Sequence, residues 1–239
     1  MKKIPNIAFI LAAGRGTRLQ PYTDTLPKPM VSVWNKPILE HTINKCKKDG
    51  ITNIIINLNY LGEKIENYFL NRDDINIHFS KEQTLLDTGG GVKYARDLIT
   101  DDTFFLINGD AFWTEGEEYS AFQNLSNAWC STEMDILILL QPISEMKLTK
   151  GIGDYNLDEN GRAIRSLDKT GKYMFAGVRI AKSNVTNDID DDIFSFLHCM
   201  DTAQQKQKLY GLVHEGAWHH ISTPEDLDNV NAANPDKFS

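Results

Sequence analysis

Residues 7–13 form an unbroken apolar run bounded by Pro5-Asn6 and Gly14, the pattern of a strand covered on both faces of a sheet. Residues 36–48 instead place Leu39, Ile43 and Cys46 on one helical face, with Lys45, Lys47 and Lys48 elsewhere and Gly50 as the stop. The same reading predicts strands over 51–58, 75–79 and 103–107, and helices over 60–70 and 91–99. Such βαβαβαβ rhythm implies an α/β fold: a single-domain, doubly wound, Rossmann-like and mainly parallel sheet with right-handed crossovers. Ligands in sheets of this kind bind beyond the carboxyl ends of the strands.

The rhythm changes after Asp110. Strands are predicted over 135–141 and 174–180, while segments 154–157 and 163–167 flank Asp158-Glu159-Asn160-Gly161, a hairpin signal. Residues 191–200 and 202–209 read as helices, and 224–232 as a closing helix with Thr223 as N-cap and Pro224 in its first position. No repeat, linker or low-complexity tract divides the 239 residues, so one domain is expected.

With 41% hydrophobic and 24% charged residues, the chain needs no staple to fold. Its formal charge of -8 argues against nucleic acid as a partner, because that binding neutralises many phosphates with lysine and arginine. A small anionic substrate held by a few focused cations remains compatible. Cys46, Cys130 and Cys199 are widely spaced and form no CxxC pair, which suggests neither a disulfide framework nor a zinc site and fits a reducing cytoplasm. The basic N-terminus passes through its short apolar run straight into a glycine and arginine loop, so it reads as a buried strand rather than a leader, and no membrane partner is expected.

Candidate chemistry begins at Leu11-Ala12-Ala13-Gly14-Arg15-Gly16-Thr17-Arg18, at and beyond the end of the first strand. Two glycines let the backbone bend and bring N–H groups close to an anion, with Arg15 and Arg18 adding charge. A tight structural turn accounts for the glycines equally well, and neither the dinucleotide fingerprint nor a GxxxxGK[ST] loop is present. In Leu26-Pro27-Lys28-Pro29 the two prolines hold the chain extended and fix the direction of Lys28; a surface turn with a solvated lysine is the plain alternative. Asn108-Gly109-Asp110 lies at the carboxyl end of the predicted 103–107 strand, where a carboxylate is a hard oxygen ligand suited to Mg²⁺. Gly89, Gly90 and Gly91 open a predicted helix, where free N–H groups allow close approach of a ligand.

Taken together, LAAGRGTRLQPYTDTLPKPM resembles the signature of the sugar-1-phosphate nucleotidyltransferase family, commonly written GxGTRLxPLTxxxPKP, with Tyr22 in place of the family's leucine. The resemblance extends to Asp87-Thr88-Gly89-Gly90-Gly91, Asn108-Gly109-Asp110, Asp168-Lys169 and the Trp218 segment. It implies the nucleotide-diphospho-sugar transferase type of fold, with one nucleotidyltransferase domain over 1–239 whose N-terminal half binds nucleotide and whose C-terminal half takes the sugar phosphate. The implied substrates are a nucleoside triphosphate and a sugar 1-phosphate, with Mg²⁺ as cofactor and Mn²⁺ as an option. On the same basis Arg18, Lys28 and Asp110 are catalytic, and Leu11, Ala13, Gly14, Gly16 and Thr17 hold the nucleotide. Thr88, Gly89 and Gly90 face the nucleoside and sugar, and Glu82, with Gln83 competing, reads the base. Asn108, Asp154, Lys169 and Gly177 belong to the sugar-phosphate side, Asp168-Lys169 resembling the family's EKP element with Thr170 in place of the proline.

The plainest departure is Trp218-His219-His220-Ile221-Ser222-Thr223, where the family usually reads W-x-D-[IV]-G-T and its aspartate is the second metal carboxylate. His220 takes that place beside Asp110, and imidazole suits Mn²⁺ better than Mg²⁺. His219, one position away, is expected at the surface. The Gly151-Ile152-Gly153-Asp154-Tyr155 element leans toward N-acetylmuramate 1-phosphate uridylyltransferases of cell-wall and peptidoglycan recycling, hence toward UTP. Mannose- or heptose-1-phosphate guanylyltransferases are the alternative, and a degenerate non-catalytic nucleotide-sugar-binding protein is the non-enzyme reading.

Overall fold

The computed structural model describes residues 2–233. Strand β1 (Ile7–Leu11) is followed by a two-stranded hairpin, β2 (Ser32–Val33) and β3 (Lys36–Pro37), and then by α1 (Ile38–Lys48). Three more units complete the first half: β4 (Asn53–Leu58) with α2 (Gly62–Phe69), β5 (Asn76–Lys81) with α3 (Asp87–Tyr94), and β6 (Thr103–Asn108). β1 pairs in parallel with both β4 and β6, and β4 with β5, giving the order β6-β1-β4-β5. The apolar runs are explained by two covered faces. Ala8, Ile10, Ile54, Ile56, Phe105 and Ile107 pack with residues of α1 and α2, while Ile7, Phe9, Ile55, Phe104 and Leu106 face α3.

The second half comprises β7 (Phe112–Trp113), α4 (Ala121–Ala128), β8 (Ile136–Pro142), β9 (Tyr155–Leu157), β10 (Ala163–Arg165) and β11 (Tyr173–Lys182). It closes with α5 (Leu197–Gln205), β12 (Leu209–Val213), β13 (Trp218–His219) and α6 (Pro224–Ala232). β11 runs antiparallel to β6 on one side and to β8 and β9 on the other, so the purely parallel part of the sheet ends at β6. β9 and β10 form the hairpin that Asp158-Glu159-Asn160-Gly161 signals, with Gly161 at φ +78°. Among the described residues no helix is long and apolar enough to cross a membrane.

Two sequence expectations are corrected. The helix expected over 91–99 begins four residues earlier, so all three glycines lie inside α3. The helices expected over 191–200 and 202–209 reduce to α5 alone: Gln207 turns at φ +58°, and Leu209 leaves the helix to pair with Ile136. The apolar residues of 209–213 fit either period, and their parallel pairing with β8 decides for a strand. The closing helix forms with the expected cap. The Thr223 hydroxyl accepts from the Asp226 N–H at 3.2 Å, and the Asp226 carboxylate accepts from the Thr223 N–H at 2.9 Å, a reciprocal capping box. Thr223→Ala is expected to lower unfolding stability by about 1 kcal/mol, read from urea titrations of the two proteins; an unchanged midpoint would mean that α6 contributes nothing to the cooperative unit.

Candidate active site

The glycine loop leaves β1 and turns at Gly16, which is left-handed at φ +62°. A Cβ on Gly16 would come within 2.7 Å of the Cβ of Lys28, so glycine here answers both the backbone and the lysine's approach. Lys28 sits in the short turn Lys28–Met30 and is buried. Its ammonium donates to Asp110 Oδ2 at 2.6 Å. Burial alone would raise the Asp110 carboxyl; the charge and hydrogen bond of Lys28 outweigh it and hold that carboxyl below its ordinary value. Gly109 donates to the Leu11 carbonyl at 2.9 Å, which seats Asn108-Gly109-Asp110 directly against the end of β1.

These segments enclose a cavity of about 700 Å³ beyond the carboxyl ends of the parallel strands. Leu11, Ala13, Gly14, Gly16, Thr17 and Arg18 contribute one wall. Lys28, Thr88, Asn108 and Asp110 line the same cavity, so ten of the expected site residues meet around one space. Arg15 leaves the loop the other way and lies over the Tyr60 ring at 5.7 Å.

Glu82 does not reach this space. It is buried, accepts from Asn57 Nδ2 at 2.7 Å and from the Leu86 N–H at 3.1 Å, and stands behind the wall rather than in it. Burial pushes its carboxyl above the ordinary range, against those two hydrogen bonds. Asn57 is the member of the pair that lines the cavity, and its Oδ1 accepts from the Ala12 N–H at 2.7 Å. A relay of Glu82, Asn57 and Ala12 therefore fixes the start of the glycine loop. Gly91 makes it possible, since a Cβ there would lie 2.7 Å from Glu82 Oε1 and 2.8 Å from Asn57 Nδ2. An asparagine inside the apolar run of β4 was the available signal for Asn57.

Gly89 and Gly90 are also placed differently from expectation. Their N–H groups are not free for a ligand: both donate to the Phe194 carbonyl, at 2.9 and 3.0 Å. A Cβ on Gly89 would strike the Phe194 ring, and one on Gly90 the Asp192 carbonyl. Lys93 adds hydrogen bonds to the Asp190 and Asp191 carbonyls and to the Asp192 carboxylate. The glycines thus serve to let this distant segment lie on α3. Thr88 keeps its side chain at the cavity, where its hydroxyl accepts from the Phe196 N–H at 2.8 Å.

A second cavity of about 270 Å³ opens beside the first and shares Thr88 and Asn108 with it. Asp154 and Lys169 line it and pair at 2.8 Å. Asp168 accepts from the hydroxyls of Ser166 and Thr170, which shapes the turn that presents Lys169 and holds the Asp168 carboxyl below its ordinary value. Gly177 lines neither cavity; it turns at φ +76° in the irregular middle of β11, and a Cβ there would lie 3.2 Å from the Cβ of Asn108. Its place is behind Asn108. Arg179, which no sequence pattern marked, lies in the wall of this cavity.

His220 lines neither cavity but lies within electrostatic reach of Asp110, Lys28 and Arg18. Its ring stacks on Trp218 with centroids 5.7 Å apart, and its N–H donates to Thr149 Oγ1 at 2.9 Å. Burial lowers its pKa, with Asp110 opposing and the two cations assisting, so the neutral form dominates at neutral pH. Of the two expected metal ligands Asp110 lines the larger cavity, where Asp87 is a further carboxylate, while His220 lies outside the lining. Among the described residues no group of three or more His, Cys, Asp and Glu side chains is arranged to hold a metal. This donor set fits a cation carried in on triphosphate oxygens, rather than one caged by protein alone.

His219 is buried, not exposed. β13 pairs with β7, and its imidazole packs on Phe112 at 5.9 Å.

A glycine loop at the end of a parallel strand, with a lysine and a carboxylate beside it on a shared cavity, is the arrangement of an α/β enzyme that handles phosphate groups. The chain belongs to the nucleotidyl transferase family, whose sequence profile matches residues 7–237. It is 29% identical over 231 residues to an N-acetylmuramate alpha-1-phosphate uridylyltransferase of Caulobacter vibrioides, covering 94% of this chain and 95% of that one. A D-glycero-alpha-D-manno-heptose 1-phosphate guanylyltransferase of Aneurinibacillus thermoaerophilus is 29% identical over 225 residues, covering 92% and 94%. Among solved structures, HddC from Yersinia pseudotuberculosis complexed with GMP-PN shares the fold, with a TM-score of 0.76, 24% identity and 100% of both chains covered.

Burial of His219 has a measurable consequence. It pulls the pKa from 6.5 down to about 4, so below pH 6.5 the unfolded chain binds a proton that the folded chain refuses. Its contribution is complete above pH 6.5 and is lost as pH falls toward 4, by at most about 3 kcal/mol. In urea unfolding at pH 7.5 and pH 5.0, His219→Phe is expected to lose less stability between the two than wild type; equal losses would remove His219 as a source of acid sensitivity.

Proposed function

We propose that this protein is a sugar-1-phosphate nucleotidyltransferase. The observation that carries this reading is the pair of cavities meeting at Thr88 and Asn108 beside the Lys28 and Asp110 pair. The larger takes the nucleoside triphosphate against the glycine loop, and the smaller takes the sugar phosphate. A phosphate oxygen of the sugar attacks the α-phosphorus in line; a new P–O bond forms as the bond to the bridging oxygen breaks, and pyrophosphate leaves. No covalent intermediate with the protein is needed.

Both reactants are polyanions, so the work of the site is alignment and neutralisation of charge. Arg18 and Lys28 hold triphosphate oxygens, the backbone of 14–17 fits around them, and Lys169 holds the acceptor at the rim. Asp110, assisted by His220, would hold Mg²⁺ or Mn²⁺ together with the triphosphate, and that cation supplies charge neutralisation at the phosphates. The Gly151-Ile152-Gly153-Asp154-Tyr155 element and the uridylyltransferase relative support UTP and N-acetylmuramate 1-phosphate, acting in the cytoplasm in cell-wall recycling. The guanylyltransferase relative, equal in identity, supports GTP with a mannose or heptose 1-phosphate as the second reading. Pyrophosphate release from four nucleoside triphosphates against a panel of sugar 1-phosphates separates them, and no release with any pair would leave a binding protein.

Arg18→Ala and Lys28→Met are each expected to lower turnover at least roughly tenfold, the scale of one lost transition-state charge contact. Initial rates at saturating substrates check this, and full activity in both variants would remove the glycine loop from the reaction.

His220→Asp restores a second carboxylate beside Asp110 and is expected to raise Mg²⁺-supported turnover relative to Mn²⁺. Initial rates with each metal for wild type and variant test it. Identical metal preference would leave Asp110 as the sole protein donor.

A further inference from the structure

The smaller cavity holds a charge that the reaction above does not use. Arg179 on β11 is 3% exposed and forms part of the cavity wall. Its guanidinium lies over Phe175 and Phe196, 5.0 and 4.7 Å from the ring centroids. Nη2 donates to Asn108 Oδ1 at 3.2 Å, and Nη1 meets only the Met200 sulfur at 3.6 Å, a weak acceptor. Nε is buried with no hydrogen-bond partner. Among the described residues no carboxylate pairs with Arg179, whereas the other two cations of this cavity are compensated, Lys169 by Asp154 at 2.8 Å and Arg165 by Asp201 at 2.6 Å. Burial draws its pKa down to about 9, which still leaves it protonated at neutral pH.

A buried ion without a counter-ion strongly opposes folding, and a buried N–H without an acceptor adds to the cost. Both are concentrated here on one side chain facing a space large enough for a small molecule. Two aromatic faces hold the guanidinium flat, the geometry in which arginine binds paired oxygens of a carboxylate or phosphate.

We propose that Arg179 is the anion receptor of the acceptor cavity and a specificity-determining residue, taking an oxyanion of the sugar phosphate as its missing counter-ion. This rests on the transfer reaction proposed above. The oxyanion has two sources on such a substrate, the 1-phosphate itself or a carboxylate carried by a ring substituent. Asn108, hydrogen-bonded to Arg179 and common to both cavities, links this receptor to the place where the transfer occurs.

The test compares wild type, Arg179→Met and Arg179→Lys with N-acetylglucosamine 1-phosphate and N-acetylmuramate 1-phosphate, which differ by one lactyl carboxylate. Calorimetric Kd values without nucleotide are measured alongside KM values and thermal midpoints. Arg179→Met is expected to weaken sugar-phosphate binding at least roughly tenfold, the scale of a charged hydrogen bond, while the nucleotide KM stays within about twofold. Its thermal midpoint is expected to hold or rise, because an uncompensated buried charge is gone, and Arg179→Lys should recover part of the affinity. Loss with both sugars assigns the anion to the phosphate; loss confined to N-acetylmuramate 1-phosphate assigns it to the carboxylate. Wild type that binds neither sugar, unchanged affinity in Arg179→Met, or a nucleotide KM that rises together with a falling midpoint overturns the proposal. A wild type that binds sugar phosphate yet releases no pyrophosphate with any triphosphate would sink the reaction while leaving the receptor standing.

Discussion

An ammonium and a carboxylate 2.6 Å apart join segments that are 82 residues distant in the chain, and much of the local architecture exists to let them meet. Pro27 and Pro29 aim Lys28, Gly16 withdraws any side chain from its path, and Gly109 brings Asp110 down onto the Leu11 carbonyl. The two ends of the pair differ in their access to water: the lysine side chain is 9% exposed and the aspartate 33%. The aspartate is therefore the end that a newcomer can reach. On the proposed reaction, a triphosphate entering with its cation exchanges one counter-charge for another at each end, so neither group has to be stripped bare.

The polar groups behind the site follow the same logic of compensation. Glu82 reaches the loop only through Asn57, and the buried carboxylate is tolerable because an amide and a backbone N–H satisfy it. Thr88 spends its hydroxyl on the Phe196 N–H while lining both cavities. Arg179 departs from that logic, a buried cation whose Nε has no hydrogen-bond partner.

Much of this was legible in the sequence where the determining contacts are local. The buried strand that opens at Ile7 announces itself because both its faces are covered, although it ends at Leu11 rather than 13, and Asp110 because it follows a strand end; the glycine loop and Lys28 stood out through the family signature they resemble, since a plain turn satisfies the same local chemistry. The Thr223 cap could be read from four residues. What escaped depends on partners far along the chain. Gly89 and Gly90 look like ligand-facing glycines until residues 192–194 arrive to occupy their N–H groups. Glu82 passes for a base-reading residue until α3 closes over it, and His219 for a surface residue until β13 pairs with β7. An arginine within Ala176-Gly177-Val178-Arg179-Ile180 breaks a pattern without saying what it faces.

The seam where β11 runs antiparallel to β6 divides the labour of the sheet. On one side, four parallel strands carry the glycine loop and its supporting relay; on the other, the β9 and β10 hairpin and the first half of β11 carry Asp154, Arg165 and Phe175. Few groups belong to both, chiefly Thr88 and Asn108. The molecule is consequently separable for redesign. On the proposed reaction, a chimera that exchanges residues 150–182 for those of a relative with another acceptor keeps β11, and with it Arg179, in one piece, and would redirect the sugar without rebuilding the glycine loop.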